Sequence, residues 1–163
     1  MGQENRLEQE VRDIIKRNRW LILSTSSPKG APQSSLVMYA SDGYKIIILT
    51  GKNTQKIKNL ARNPAASITI PFYKNFLHRL ITIAPPASIV LKANAEIIDF
   101  SDEAVSGFYQ RVLSFKLPEV VEEDGVWLRF DLGGTATCHG VGVRLFDLRD
   151  PEKAHKIIHL NNR

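Results

Sequence analysis

The sequence predicts an α+β fold, a mainly antiparallel barrel of roughly six or seven strands with a few flanking helices. Three observations carry that expectation. Strand-like runs at 20–26, 33–40, 45–49, 65–72 and 87–100 follow one another through connections short enough for a meander or Greek key. The run at 87–100 sets Ile89, Leu91, Ala93, Ala95 and Ile97 against Ser88, Lys92, Asn94 and Glu96, the period-two pattern of a sheet with one buried face. No glycine-rich dinucleotide fingerprint is present, which argues against a doubly wound parallel sheet.

Each element has its own signal. Leu7, Val11, Ile14 and Ile15 recur at helical spacing, with charged residues on the other faces, so residues 7–19 read as an amphipathic first helix. The strand at 20–26 breaks at Ser27-Pro28-Lys29-Gly30, and Ser41-Asp42-Gly43 separates the second strand, 33–40, from the third, 45–49. After Thr54 a helix carries Ile57, Leu60 and Ala61 on one face and stops near Asn63-Pro64, because proline disfavours helical geometry in the residue before it. Between 73 and 86, Phe76, Leu77, Leu80 and Ile81 suggest a helical turn or two, and Ala84-Pro85-Pro86 a loop. Ser101-Asp102-Glu103 caps a helix with the stripe Val105, Phe108, Tyr109, Val112 and Leu113, which ends before Pro118. Closing strands are expected at 126–132 and 137–147, joined through Gly133-Gly134, and a short helix or turn at Asp150-Pro151.

Length and composition bound the class. A chain of 163 residues, 43% hydrophobic, fits a single domain over 1–163 with a sizeable core. The one cysteine, Cys138, excludes an intrachain disulfide and an all-cysteine metal cage. With a charged N-terminus and no long uncharged apolar stretch, the expected location is the cytoplasm, with no membrane partner. The formal charge of +5 favours anionic partners, but the lysines and arginines are dispersed and no nucleic-acid-binding motif occurs, so nucleic acid is not the expected partner.

The most informative run is Ile46-Ile47-Ile48-Leu49-Thr50-Gly51-Lys52-Asn53-Thr54-Gln55-Lys56, an apolar strand that ends in polar and cationic residues opening a helix. First-turn amides, the helix dipole, the Thr54 hydroxyl and the Lys56 ammonium suit an anion such as phosphate. Taken alone, the run serves equally as a helix capped by Asn53 or Thr54 with solvated lysines.

The ordered series Leu21-Ile22-Leu23-Ser24-Thr25, Pro28-Lys29-Gly30-Ala31-Pro32, Ser34-Ser35-Leu36-Val37, Leu49-Thr50, Thr54-Gln55-Lys56-Ile57-Lys58-Asn59-Leu60 and Asn63-Pro64 resembles the pyridoxamine 5'-phosphate oxidase-like FMN-binding split barrels. The resemblance implies a split barrel and FMN as cofactor, with Ser34, Ser35, Leu36 and Val37 along the flavin. It also implies Leu49 and Thr50 beside the flavin, and Thr54, Gln55 and Lys56 at its phosphate. It implies a homodimer with the cofactor at the subunit interface. The flavin itself performs the redox step, so no catalytic side chain is assigned. The sequence departs from the oxidases proper at Ser34 and Gln55, where they carry arginines, and at Tyr39, where they carry lysine; Lys52 is the candidate to supply the missing phosphate charge. Arg144 and His139 lie near the expected vitamin B6 residues but outside their pattern, so B6 oxidation is not expected.

The resemblance leaves two rivals, a non-catalytic holder of flavin or haem, and a reductase using the deazaflavin F420. The stretch Ala136 to Leu148, with His139-Gly140-Val141-Gly142, resembles the closing strand of the family's haem-utilisation branch. His139 is the corresponding candidate haem ligand, weighed against a structural role. His155 and His159 would share one face of a helix over 152–160, a spacing compatible with a metal but lacking a third ligand nearby, so no metal is assigned. Neither a serine nucleophile elbow nor a paired-carboxylate motif supports hydrolysis.

Overall fold

The computed structural model describes residues 2–80, 85–114 and 124–161. Helix α1 (Gln3–Arg17) leads into β1 (Trp20–Ser26), β2 (Pro32–Met38), β3 (Ala40–Ser41) and β4 (Lys45–Gly51). Then come α2 (Gln55–Leu60), β5 (Ala65–Phe72), α3 (Phe76–Leu80), β6 (Ala87–Asn94), β7 (Glu96–Asp99) and α4 (Glu103–Leu113). The chain closes with β8 (Gly125–Asp131), β9 (Gly134–His139), a 3-10 turn (Leu145–Arg149), α5 (Pro151–Ala154) and β10 (His155–Leu160). The expected features at Ile81, Ala84 and Pro118 lie outside the described residues.

All described pairings are antiparallel and form two sheets, a six-stranded one in the order β10-β9-β6-β5-β1-β2 and a four-stranded one in the order β3-β4-β8-β7. The sheets do not close into one ring, as expected of a split barrel. Alternation builds the core between them. Leu21 and Leu23 of β1, Ile68 and Ile70 of β5, and Ile89 and Leu91 of β6 face Ile46 and Ile48 of β4 and Leu128 and Phe130 of β8 in one buried cluster. Val11, Ile14 and Ile15 of α1 join the same cluster. A second cluster gathers Ile47 and Trp127 with Tyr109 and the rest of the α4 stripe. There the Trp127 ring stacks on Phe100 at 5.6 Å, and its Nε1 donates to the Phe100 carbonyl at 3.1 Å.

Two strands that read as uninterrupted in the sequence change sheets instead. The expected strand 33–40 is handed over at Tyr39, whose N–H donates to the Arg19 carbonyl, and 87–100 is handed over at Ala95, whose N–H donates to the Pro64 carbonyl. Side-chain alternation reports a side chain's face but not which strand takes the hydrogen bonds, so it misses such a switch, and Ile97, expected on the buried face, is 39% exposed on the edge strand β7. Tyr39 is fully buried, and its hydroxyl donates to the Ile15 carbonyl in the last turn of α1 at 2.7 Å.

Three expectations need correction. The strand expected at 137–147 ends at His139, because Gly140 (φ +89°) and Gly142 (φ +66°) turn the backbone into the left-handed region that glycine tolerates. Strands β8 and β9 follow one another through Gly133 but belong to different sheets. The helix considered over 152–160 stops at Ala154, and the remainder is β10. Arg12 also departs from the expected charged outer face of α1. It is buried, donates to Glu8 and to the carbonyls of Gly43 and Asn161, and stacks on the Tyr44 ring at 4.1 Å.

Candidate cofactor site

The start of α2 is where the two sheets and a helix meet. Strand β4 alternates so that Ile46 and Ile48 enter the barrel core, Thr50 continues that face, and Ile47 and Leu49 pack with the α4 cluster. Beyond Gly51 the chain turns, with the Thr54 N–H donating to the Gly51 carbonyl at 3.2 Å, and Thr54 becomes the N-cap of α2. Its hydroxyl does not cap the helix. Thr54 Oγ1 is buried and has no hydrogen-bond partner among the described residues. Two residues on, Lys56 reaches back to donate from Nζ to Thr50 Oγ1 at 3.1 Å, and partial burial lowers the pKa of its ammonium. A buried hydroxyl and a partly desolvated cation therefore stand within one turn of each other.

The remaining polar residues of this junction are committed. Lys52 Nζ lies 3.4 Å from Asp124 Oδ1, its backbone N–H donates to the Asp124 carbonyl, and Asn53 donates to the same carboxylate at 3.2 Å. Gln55 Nε2 donates to Asn59 Oδ1 at 2.9 Å. Asn59, only 1% exposed, donates in turn to Thr25 Oγ1 of β1 at 3.0 Å and to Gln33 Oε1 of β2 at 3.3 Å. That amide chain, with Ile57 and Leu60 packed in the core, fastens α2 to the first two strands.

Strand β2 is an edge strand, and its four candidate residues divide between two faces. Val37 packs against the barrel core, and Ser35 shares that face with Gln33. Ser34 and Leu36 point the other way, Ser34 Oγ lying 2.8 Å from Ser24 Oγ and Leu36 standing opposite Ile22, 64% exposed. Of the nine residues implicated in the sequence, Thr50 and Lys56 are joined by a hydrogen bond, with Thr54 as the N-cap of the same helix. Gln55 supports them through Asn59, Ser35 and Val37 face inward from β2, Leu49 packs in the α4 cluster, and Ser34 and Leu36 lie on the outer face of the six-stranded sheet. Gln33, Thr25 and Asn59 were missed as site-builders. A fully buried asparagine inside a helical apolar stripe was the available signal, since a buried amide demands partners.

The sequence model of the pyridoxamine 5'-phosphate oxidase family matches residues 7–133, which contain all of these positions. The chain belongs to that family. No curated protein sequence matches it. Among solved structures, the family member is similar to a haem-binding protein from Mycobacterium smegmatis, with a TM-score of 0.66 and 18% identity over 94% of this chain and 57% of that one. It is also similar to HutZ, a haem storage protein from Vibrio cholerae, with a TM-score of 0.64 and 19% identity over 83% of this chain and 96% of that one. A third similar structure is an F420 reductase, with a TM-score of 0.56 and 19% identity over 74% of this chain and 90% of that one. At such identities these likenesses show the fold.

The histidines stand elsewhere. His139 ends β9, directly opposite His155 of β10 and Ser88 of β6, and its Nε2 is buried without a partner among the described residues. His155 and His159 are both exposed on β10, where four residues span about 13 Å. That spacing separates them, and no group of three or more metal-ligating side chains occurs among the described residues.

Proposed function

We propose that the chain binds FMN at the start of α2 and acts as a flavin-dependent oxidoreductase-like protein, a single domain over 1–163 that works as a homodimer in the cytoplasm. The carrying observation is the buried, unpartnered Thr54 hydroxyl at the start of the helix that carries the partly desolvated Lys56 ammonium. A phosphate oxygen is an acceptor for both, and the first amides of α2 add further donors. When bound, FMN would supply hydride exchange at its N5 position. The side chains have holding roles: Thr54 and Lys56 for the phosphate, Thr50 to orient the Lys56 ammonium, and Gln55 and Asn59 to fix the helix start against β1 and β2. Ser35 and Val37 offer a strand backbone and an apolar cover for the ring. Lys52, paired to Asp124, is not well placed to replace the arginines of the oxidases proper.

The homodimer has its own support. A row of side chains crosses the outer face of the six-stranded sheet from Leu36 through Ile22, Thr69, Val90 and Thr137 to Ile157. Leu36 and Ile157 are 64% and 63% exposed, and Trp20 is 54% exposed on the same face. A second copy laid on this face would bury that row and bring Ser34 and Leu36 to a shared interface. Leu36→Glu is expected to shift the protein to monomer in sedimentation velocity; a dimer unaffected by the substitution would count against this face.

The direct test of the cofactor is titration of purified protein with FMN followed by quenching of flavin fluorescence. Saturation at one FMN per chain is expected. Refusal of FMN with binding of F420 would move the reading to a deazaflavin enzyme. One observation favours a second reading, haem holding: the orphaned His139 Nε2 is a free ligand atom. A Soret band that is lost in His139→Ala, together with refusal of FMN, would establish it.

A further inference from the structure

A polar cavity of about 410 Å³ opens on the far side of the molecule from β2, between the first turns of α1, Lys74 and the loop after β9. Arg6, Lys74, Arg144 and Lys156 line it, with Glu10 as the carboxylate among its lining residues. Backbone carbonyls rather than carboxylates hold the two lysines. Lys74 Nζ donates to the Gly140 carbonyl at 2.6 Å and Lys156 Nζ to the Gly142 carbonyl at 3.3 Å. A carbonyl orients an ammonium without cancelling its charge. Glu10 spends one oxygen on the Gly142 N–H, at 3.1 Å. Among the described residues neither the Arg6 nor the Arg144 guanidinium has an acceptor.

The loop is shaped for this purpose by its glycines. At Gly142 a Cβ would stand 2.4 Å from Leu7 Cδ2 and 3.1 Å from Lys156 Nζ, so a side chain there would displace Leu7 and crowd the lysine. At Gly140 a Cβ would stand 2.5 Å from Leu148 Cδ2 and 2.8 Å from Ala87 Cβ. Both glycines adopt positive φ, and their carbonyls accept from the two lysines. Burial lowers the Lys74 pKa; Glu10 opposes that shift and Lys156 reinforces it, as expected where like charges are gathered with too little counter-charge.

We propose that this cavity binds the phosphoryl group of a small anion, either phosphate itself or the phosphate end of a metabolite. A tetrahedral dianion offers several acceptor oxygens to the four cations that line the cavity, and each guanidinium can meet it with a forked pair of donors. The site is separate from the start of α2 and does not depend on what binds there.

The test uses inorganic phosphate against sodium chloride of equal ionic strength, read as amide shifts at 142–144 in ¹⁵N spectra. A saturable shift of the 142–144 amides is expected, weakened at least fivefold in Arg144→Gln/Lys156→Gln and unchanged in Thr54→Ala/Lys56→Ala, whose residues lie outside the cavity. Arg144 is exposed, so Arg144→Gln alone keeps the fold and must itself weaken the response. A response reproduced by chloride, retained in Arg144→Gln/Lys156→Gln, or lost only in the α2 variant overturns the proposal. Glycerol phosphate binding more tightly than phosphate would assign the cavity to a metabolite's phosphoryl end, and weaker binding to phosphate itself; either supports the site.

Discussion

Replacing Asn59 by alanine tests the link between the core and the candidate cofactor site. The wild-type side chain accepts one hydrogen bond from Gln55 and donates to Thr25 and Gln33, at 2.9, 3.0 and 3.3 Å. Thr25 is itself buried, so its hydroxyl loses a partner it cannot replace with bulk water. Three neutral hydrogen bonds at about 0.5–1.5 kcal/mol each, the longest at the weak end, give a loss of about 2–3 kcal/mol. For a chain of this size that is a fall in melting temperature of about 4–12 °C. Urea unfolding of Asn59→Ala beside Gln55→Ala measures it. Gln55 is exposed and contributes one of the three bonds, so its loss is expected to cost under about 1 kcal/mol. Because Asn59 ties α2 to both strands, FMN affinity should fall in Asn59→Ala even though the residue lies a full turn from Thr54. An Asn59→Ala protein within about 0.5 kcal/mol of wild type would refute the view that this amide chain fixes the helix start.

Two other substitutable or titratable groups make independent claims. Tyr39→Phe leaves the Ile15 carbonyl without its hydroxyl donor at the point where the chain changes sheets, and should cost about 1–3 kcal/mol by chemical denaturation. Burial pushes the Cys138 thiol up to about 12 from an ordinary 9.0, with Glu10 adding to the rise and Lys156 opposing it. The folded value is the higher one, so this group's contribution to stability is whole below about pH 9 and is lost as the pH climbs toward 12. Native protein at pH 8 should therefore resist iodoacetamide, and labelling should appear only on unfolding; rapid labelling of the native state would contradict the burial.

Much of the architecture was legible because it rests on alternation and punctuation. The hairpin at Ser27-Pro28-Lys29-Gly30, the stripe of α4 with its Asp102 cap, and the alternating run from Ile89 to Ala93 all fold as their residues suggest. The Asp102 carboxylate does accept the Val105 N–H, at 2.9 Å. What the sequence hid were long-range choices. Nothing local marks Tyr39 or Ala95 as the residue where a strand leaves one sheet for another, because the pleat continues while the partners change. Gly140 and Gly142 could be read as strand glycines until their carbonyls met Lys74 and Lys156. At the site, the cluster of Thr50, Thr54 and Lys56 was implicit in a strand that opens a helix, whereas Gln33 and Thr25 enter only because Asn59 bridges to them across the fold. The opposite facing of Ser34 and Ser35 follows from the period of two, but which of them looks into the barrel depends on β1 and β5.

The central claim is that the start of α2 holds the phosphate of FMN, and FMN titration of Thr54→Ala/Lys56→Ala tests it most directly. The account predicts affinity at least tenfold weaker than wild type, a loss of about 1.4 kcal/mol or more, with the fold intact by circular dichroism. FMN binding unchanged in that variant would contradict it.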